Sequence, residues 1–282
     1  LPGFKGLDLK WIPNGDSERY IKSYDLDCPE VETVIRGTLR YEAFAPVICA
    51  LRPLGLLDCT TPIEELTLKS QSFISWPNLL RKCMGSSRDS TLVNDLAAFL
   101  TQRISQDRKR AHESETWRAL SKVVMSSDIS AVVPMPLDHE VTLIISNMGR
   151  LGLLNDALLV PKTAGGFAVD SLCSTLLPQM SYRSHERDFI MMIHRINAFF
   201  PKTGEKKSFK ATLSLRGSDL VNTATAITVG VPVGATAQLI LDGGLRGKRG
   251  LVIPTDEAIY NPILAELERQ GIRMHEEVRE EQ

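Results

Sequence analysis

The sequence predicts an α/β protein interrupted by an all-helical block. Three observations carry this. Strand-type residues cluster near residues 33–41. From about 66 to 180 apolar residues recur instead at three- and four-residue spacing, with no alternating pattern. From about 187 the period shifts back to strand. The expected organisation is residues 1–66 as the first part of an α/β domain, 67–180 as a helical insertion and 181–282 as the second part of the α/β domain.

In chain order, residues 1–30 read as loop, with a turn at Pro13-Asn14-Gly15-Asp16. A strand at about 33–40 follows, because Val34, Ile35, Thr38 and Tyr41 suit a pleated surface. Ala43, Val47, Ala50, Leu51 and Leu54 predict a helix near 42–58, limited or kinked by Pro46 and Pro53. Within the block, Val93, Leu96, Ala97, Leu100 and Ile104 predict one amphipathic helix, and Trp117, Leu120, Val123 and Val124 a second. Val141, Leu143, Ile144, Ile145, Met148 and Leu151 predict a third, ending near Gly152, and Val169, Leu172, Leu176 and Leu177 a fourth. The charged run 106–115 reads as a solvated helix face or an exposed link. The apolar run 189–196, a turn at 201–205 and the alternating Ala211, Leu213 and Leu215 predict a β-hairpin. Residues 222–242 form a helix rich in small residues, with a kink expected at Pro232 and an end at Gly243-Gly244. A last helix at about 256–270 carries Ile259, Ile263, Leu264 and Leu267 as its stripe, acids in its first turn and Gly271 beyond its end.

Composition bounds the partners. A chain of 282 residues makes one large domain or two modest ones. Hydrophobic content of 43% and charged content of 24% are those of a soluble globular protein. The net charge of -1 offers no general attraction to a nucleic-acid backbone. No run approaches the ~18 uninterrupted apolar residues of a membrane span. Neither nucleic acid nor membrane is therefore expected as a partner. Five scattered cysteines without C-x-x-C spacing predict free thiols in a reducing compartment. That makes the cytoplasm the expected location, with the mitochondrial matrix as the alternative. The chain opens Leu1-Pro2-Gly3, with neither an initiator Met nor a signal, and is expected to be a segment of a longer polypeptide.

On a strand, Arg36, Thr38 and Arg40 share one face, and Ile35, Gly37, Leu39 and Tyr41 the other. The two arginine stems start roughly 13 Å apart. Two guanidinium forks with a hydroxyl between them suit a long molecule with several carboxylates. The alternative is the solvated face of an ordinary half-buried strand. No self-contained active site accompanies them. No two glycines are separated by a single residue, so the dinucleotide fingerprint G-x-G-x-x-G is impossible. Gly243-Gly244-Leu245-Arg246-Gly247-Lys248 lacks P-loop spacing and reads as a helix end followed by a turn. There is no H-E-x-x-H and no G-x-S-x-G. Catalytic, cofactor-binding and metal-binding residues are accordingly not expected in this chain.

Four sets of motifs, in this order, resemble the C-terminal domain of the saccharopine dehydrogenase (saccharopine reductase) family. The first is Trp11-Ile12-Pro13-Asn14-Gly15-Asp16-Ser17, Arg36-Gly37-Thr38-Leu39-Arg40-Tyr41 and Leu54-Gly55-Leu56-Leu57. The second is Ser75-Trp76-Pro77-Asn78-Leu79-Leu80 and Leu151-Gly152-Leu153-Leu154-Asn155-Asp156. The third is Glu186-Arg187-Asp188-Phe189-Ile190-Met191-Met192. The fourth runs from Thr228-Val229-Gly230-Val231-Pro232 through Ile240-Leu241-Asp242-Gly243 and Gly250-Leu251 to Ile259-Tyr260-Asn261-Pro262-Ile263-Leu264. Order and spacing agree from about residue 8 to 273, although about 84–140 matches only in being helical.

The resemblance implies a mixed β-sheet domain for substrate binding and dimerisation, with an all-α domain inserted. The NAD or NADP would be held mainly by an upstream Rossmann domain that is absent from this chain. Family members split saccharopine oxidatively into glutamate and aminoadipate semialdehyde, or run the reverse, in lysine metabolism. The substrate-binding residues implied are Thr38, Leu39 and Arg40, with Leu39 acting through its main chain and Arg36 in a structural role. Where the family has an arginine in P-N-R-D-S, this chain has Gly15. A hydrogen bond to a charged group contributes about 1.5–3 kcal/mol, so losing it weakens binding roughly ten- to a hundredfold. Lys10 and Arg19 are the candidates to take its place. The expected function is the substrate-binding domain of an NAD(P)-dependent saccharopine dehydrogenase, inactive as an isolated segment. The alternatives are a relative acting on another carboxylated secondary amine, such as carboxynorspermidine, or a non-catalytic interaction domain that keeps the fold.

Overall fold

A computed structural model of the chain describes residues 6–7, 9–14, 18–87, 90–114 and 135–281. The chain is an α/β protein, as its periodicities predict. It divides into two compact units, Leu1–Met180 and Ser181–Gln282.

The first unit opens with a two-stranded antiparallel ladder. β1 (Leu9–Pro13) pairs with β2 (Gly37–Tyr41), Lys10 opposite Arg40 and Ile12 opposite Thr38. The segment 1–30 is therefore more than loop, since it holds β1 and a short helix, α1 (Glu18–Ser23). β1 reads poorly from sequence because Ile12 breaks the alternation of Leu9, Lys10 and Trp11 and Pro13 cannot donate to a ladder; pairing with β2 overrides that. The expected strand near 33–40 begins only at Gly37.

The rest of this unit is helical: α2 (Phe44–Leu51), α3 (Trp76–Met84), α4 (Leu92–Glu113), α5 (Leu137–Arg150) and α6 (Ala168–Met180). The charged run after residue 106 continues α4 as far as Glu113. The helix expected through Trp117, Leu120, Val123 and Val124 lies outside the described residues. Leu92, Leu96 and Leu100 of α4 lie at four-residue spacing and are buried against Val141, Ile144 and Met148 of α5 and Leu79 and Leu80 of α3. Trp76 is fully buried, and its Nε1 donates to Thr175 Oγ1 of α6 at 3.2 Å. The two L-G-L-L motifs do the same job. Gly55 (φ 70°) and Gly152 (φ 83°) adopt the left-handed conformation and turn the chain back over the preceding helix. Leu56 N–H then donates to the Leu51 carbonyl, and Leu153 N–H to that of Met148, at 3.1 and 3.0 Å. The leucine after each glycine is fully buried.

The second unit is a three-stranded antiparallel sheet with two helices. β3 (Phe189–Phe200) and β4 (Glu205–Arg216) form the expected hairpin, Ile193 opposite Thr212, and β5 (His275–Glu281) adds to β4. Within both sheets every ladder is antiparallel; among the described residues the parallel pairing of a mixed sheet is confined to the isolated bridge Thr67–Thr163. α7 (Ala224–Leu241) continues through Pro232, and α8 (Glu257–Arg269) packs against it. Asp256 caps α8, its side chain accepting from Ala258 N–H at 2.9 Å. Asp188, buried at the start of β3, accepts from Ala224 N–H (2.6 Å), Thr225 N–H (2.9 Å) and the Thr225 hydroxyl (3.1 Å). A carboxylate at the positive end of α7 thus ties strand to helix. By length and composition, α7 is the one helix among the described residues that could cross a membrane. The five cysteines are free.

Candidate functional site

The candidate site is built on the β1–β2 ladder. Its geometry depends on Gly37. A Cβ at this position would lie 1.8 Å from Trp11 Nε1 and 2.6 Å from the Ile12 carbonyl oxygen. The indole of Trp11 therefore lies over a residue without a side chain, and the two strands close there. Directly opposed residues of an antiparallel pair share a face, so Ile12 and Thr38, and Lys10 and Arg40, project together.

The three sequence-predicted residues lie consecutively on β2. Thr38 and Leu39 are half-buried and Arg40 is exposed. The Thr38 hydroxyl has no partner among the described residues. Arg40 Nη1 donates to the Leu39 carbonyl at 3.0 Å, and its guanidinium lies over the Phe44 ring at 5.3 Å. No carboxylate pairs with Arg40 among the described residues, although Glu42 lies two positions on and projects to the same side. Glu42 instead pairs with Lys10, at 3.3 Å. The ladder thus neutralises Lys10, and among the described residues nothing compensates the charge of Arg40.

Arg36, one residue before β2, lies over the Tyr20 ring at 4.7 Å. Arg19 approaches the same ring at 5.0 Å and donates from Nη2 to the Tyr20 hydroxyl at 3.1 Å. The Arg19 hydrogen bond and charge, with the charge of Arg36, hold the Tyr20 phenol below its usual range. Of the two candidates to replace the arginine missing at position 15, Lys10 is already paired, and Arg19 has no carboxylate partner among the described residues. Gly15 itself lies outside the described residues. Tyr20 and Phe44 are absent from the sequence-based site: Tyr20 is far in sequence from Arg36, and the chain leaves β2 for a helix between Arg40 and Phe44. The one legible signal was an aromatic residue next to Arg19.

A cavity of about 360 Å³ opens elsewhere in this unit, between α2, α4 and the start of α5. Pro46, Ala50, Leu100 and Ile104 line it, and Arg108 and Glu140 at its side pair with each other. Burial, and then the charges of Glu140 and Asp107, push the thiol of Cys49 up, so it is a poor nucleophile. No cluster of metal-ligating side chains occurs among the described residues. They do not fit a nicotinamide cofactor either: the glycine-rich turn at Gly243-Gly244 follows helix α7 and not a strand.

Comparison with known proteins matches residues 1–272 to the saccharopine dehydrogenase C-terminal domain. The chain belongs to this family. It is 28% identical over 281 residues to the saccharopine dehydrogenase [NADP(+), L-glutamate-forming] of Schizosaccharomyces pombe, covering 99% of this chain and 53% of that protein. It is 27% identical to the mitochondrial alpha-aminoadipic semialdehyde synthase of Rattus norvegicus, covering 95% of this chain and 24% of that protein. Among solved structures, apo saccharopine dehydrogenase (L-Glu forming) from Saccharomyces cerevisiae aligns with a TM-score of 0.71 at 28% identity, over 98% of this chain and 53% of that one. The chain spans about half the length of the fungal saccharopine dehydrogenases it matches. The family identification agrees with the motifs, and the α/β architecture agrees with that of the yeast enzyme.

Proposed function

We propose that this chain is the saccharopine-binding part of an NAD(P)-dependent saccharopine dehydrogenase of lysine metabolism. Thr38, the Leu39 main chain and Arg40 hold the substrate. One observation carries the proposal: on one face of β2 a hydroxyl and a guanidinium have no anionic partner among the described residues, while the neighbouring Lys10 is neutralised by Glu42. Arg40, stacked by its face on Phe44, keeps donors at its edge for a carboxylate. Saccharopine has three carboxylates and two amino groups and suits such a strand. Membership of the family and the names of the relatives support the same reading.

In this proposal the chain binds and orients saccharopine. The redox chemistry with NAD or NADP belongs to an upstream Rossmann domain, and the protein works as a homodimer. The cytoplasm is its proposed location, with the mitochondrial matrix as the alternative. The domain scheme of an α/β domain (1–66 and 181–282) with a helical insertion (67–180) is proposed for the assembled protein.

The test is calorimetry of the full-length protein with saccharopine, together with NAD(P)H absorbance. Saccharopine should bind and be oxidised, and Arg40→Ala should weaken binding roughly ten- to a hundredfold. Micromolar saccharopine binding that is lost in Arg40→Ala would rule out the interaction-domain alternative, and no binding of saccharopine would favour it. Turnover of carboxynorspermidine in preference to saccharopine would favour the other amine substrate, which Gly15 suggests, since fewer carboxylates need fewer arginines.

A further inference from the structure

We propose that Arg19 and Arg36, gathered on the ring of Tyr20, form a second carboxylate site next to β2, which holds the end of a polycarboxylate substrate that Arg40 does not reach. The inference rests on the substrate-binding role proposed for β2, and adds the residues that grip the substrate's far end.

Two arginines well separated in sequence meet at one aromatic ring. Arg36 lies 4.7 Å and Arg19 5.0 Å from the Tyr20 centroid. The ring is held in turn by Tyr24, stacked at 6.1 Å with an interplanar angle of 21°. A guanidinium that lies over a ring uses its face; the N–H donors in its plane point sideways, where a carboxylate takes them in a bidentate pair. Two such groups around one ring are pre-positioned, and less side-chain freedom is lost on binding.

The charge pattern is the second argument. Asp25, Asp27, Glu30 and Glu32 lie in the segment between the two arginines, yet none of them pairs with either. Lys10, Lys82 and Lys210 each have a carboxylate within 4 Å. Local acids are thus available to Arg19 and Arg36, and the fold leaves them unused. The Tyr20 phenol is held below its usual pKa range, first by the Arg19 hydrogen bond and then by the charges of Arg19 and Arg36, in keeping with this gathering of positive charge. Arg36 stands four positions from Arg40, so their stems begin roughly 13 Å apart. The two sites lie at opposite ends of β2, Arg36 on Tyr20 and Arg40 on Phe44. This arrangement selects a long molecule with a carboxylate at each end over one with a single carboxylate.

The experiment compares Arg19→Ala, Arg36→Ala and Arg36→Lys in the full-length protein, by calorimetry and steady-state kinetics. The probes are saccharopine, tricarballylate (three carboxylates and no amine) and carboxynorspermidine (one carboxylate). Each alanine variant should raise the saccharopine Kd roughly ten- to a hundredfold. KM should rise far more than kcat, because the grip is remote from the reacting bond. Arg36→Lys should recover part of the loss, and carboxynorspermidine binding should be insensitive to all three substitutions. Circular dichroism checks folding, with Arg36→Gln as the substitute should the alanine variant unfold. Saccharopine affinity within twofold of wild type in both alanine variants, while Arg40→Ala weakens binding tenfold or more, would overturn the second site and leave the role of β2 intact. Arg36-dependent binding of tricarballylate by a protein that ignores saccharopine would keep the site and remove the proposed substrate. Failure of wild type to bind either polycarboxylate would remove both.

Discussion

Gly37 and Arg40 show how single residues set the candidate site. At Gly37 the indole of Trp11 and the carbonyl of Ile12 occupy the space of a side chain. A carbonyl oxygen cannot rotate away as a side chain can, so Gly37→Ala must push the two strands apart. Overpacking of this kind costs about 1–3 kcal/mol. A lowered denaturation midpoint with altered Trp11 fluorescence would show it; a midpoint equal to wild type would mean that the strands absorb the methyl group. Arg40→Ala should behave in the opposite way. The residue is exposed and its hydrogen bond runs to its own neighbour, so the fold loses little. The loss should appear instead in saccharopine affinity, read by calorimetry on the full-length protein.

At the scale of elements, two contacts tie the second unit together. The first is Asp188 at the N-terminus of α7. Burial works to raise its pKa, but the hydrogen bonds from Thr225 N–H, Ala224 N–H and the Thr225 hydroxyl outweigh it, and the carboxyl ends below its usual range. A carboxylate with a depressed folded pKa contributes stability above its unfolded value and loses it as pH falls through the folded one. The contribution of Asp188 should therefore be complete above about pH 5 and fade below about pH 4. Asp188→Ala leaves the buried Ala224 N–H without an acceptor and should cost about 1–3 kcal/mol at neutral pH. Denaturant midpoints at pH 7 and pH 3 check this: the gap between wild type and variant should narrow at pH 3, and an unchanged gap would count against the carboxylate.

The second contact is the edge strand β5. Its sequence, His275-Glu276-Glu277-Val278-Arg279-Glu280-Glu281, has poor strand propensity, and the sequence-based assignment ends at the preceding helix. Pairing supplies what propensity lacks. Glu277 stands opposite Lys210 with their charges 3.6 Å apart, and Glu280 stands opposite Lys207. A charged outer strand also blunts the edge of the sheet against further pairing. Glu277→Lys puts like charges opposite each other and should destabilise by about 0.2–1 kcal/mol. The double reversal with Lys210→Glu should restore part of this. Hydrogen exchange of the β5 amides is the readout; a double variant no better than the single would show that charge does not set this register.

At the scale of the whole molecule, the proposed division of labour gives this chain the binding of substrate and leaves the redox chemistry to another domain. No strand among the described residues runs into a glycine-rich turn and a helix. Residues 1–282 expressed alone should therefore give no NAD(P)H absorbance with saccharopine and NAD or NADP, and measurable turnover would contradict this. Much of the architecture was legible. The helical stripe through Leu96, Leu100 and Ile104, the hairpin at 189–216 and the glycines after α5, α7 and α8 are local signals, and local signals survive in a linear sequence; Val93, expected in that stripe, is exposed, and Leu92 is buried in its place. The strand β1, the helix α3 and the strand β5 were not, because each is stabilised by partners distant in sequence rather than by its own propensity.

The candidate site divides in the same way. Arg36, Thr38 and Arg40 could be picked out from alternation along a strand, because a period of two is a property of the chain itself. Which cations stay available could not. The antiparallel register places Lys10 beside Arg40 and within reach of Glu42, and Arg36 lies on the ring of Tyr20, distant in sequence. Electrostatic pairing depends on distance in space and not on separation along the chain. The residue types able to hold a polycarboxylate are therefore written in the sequence, and only the folded chain decides which of them keep their charge free for it.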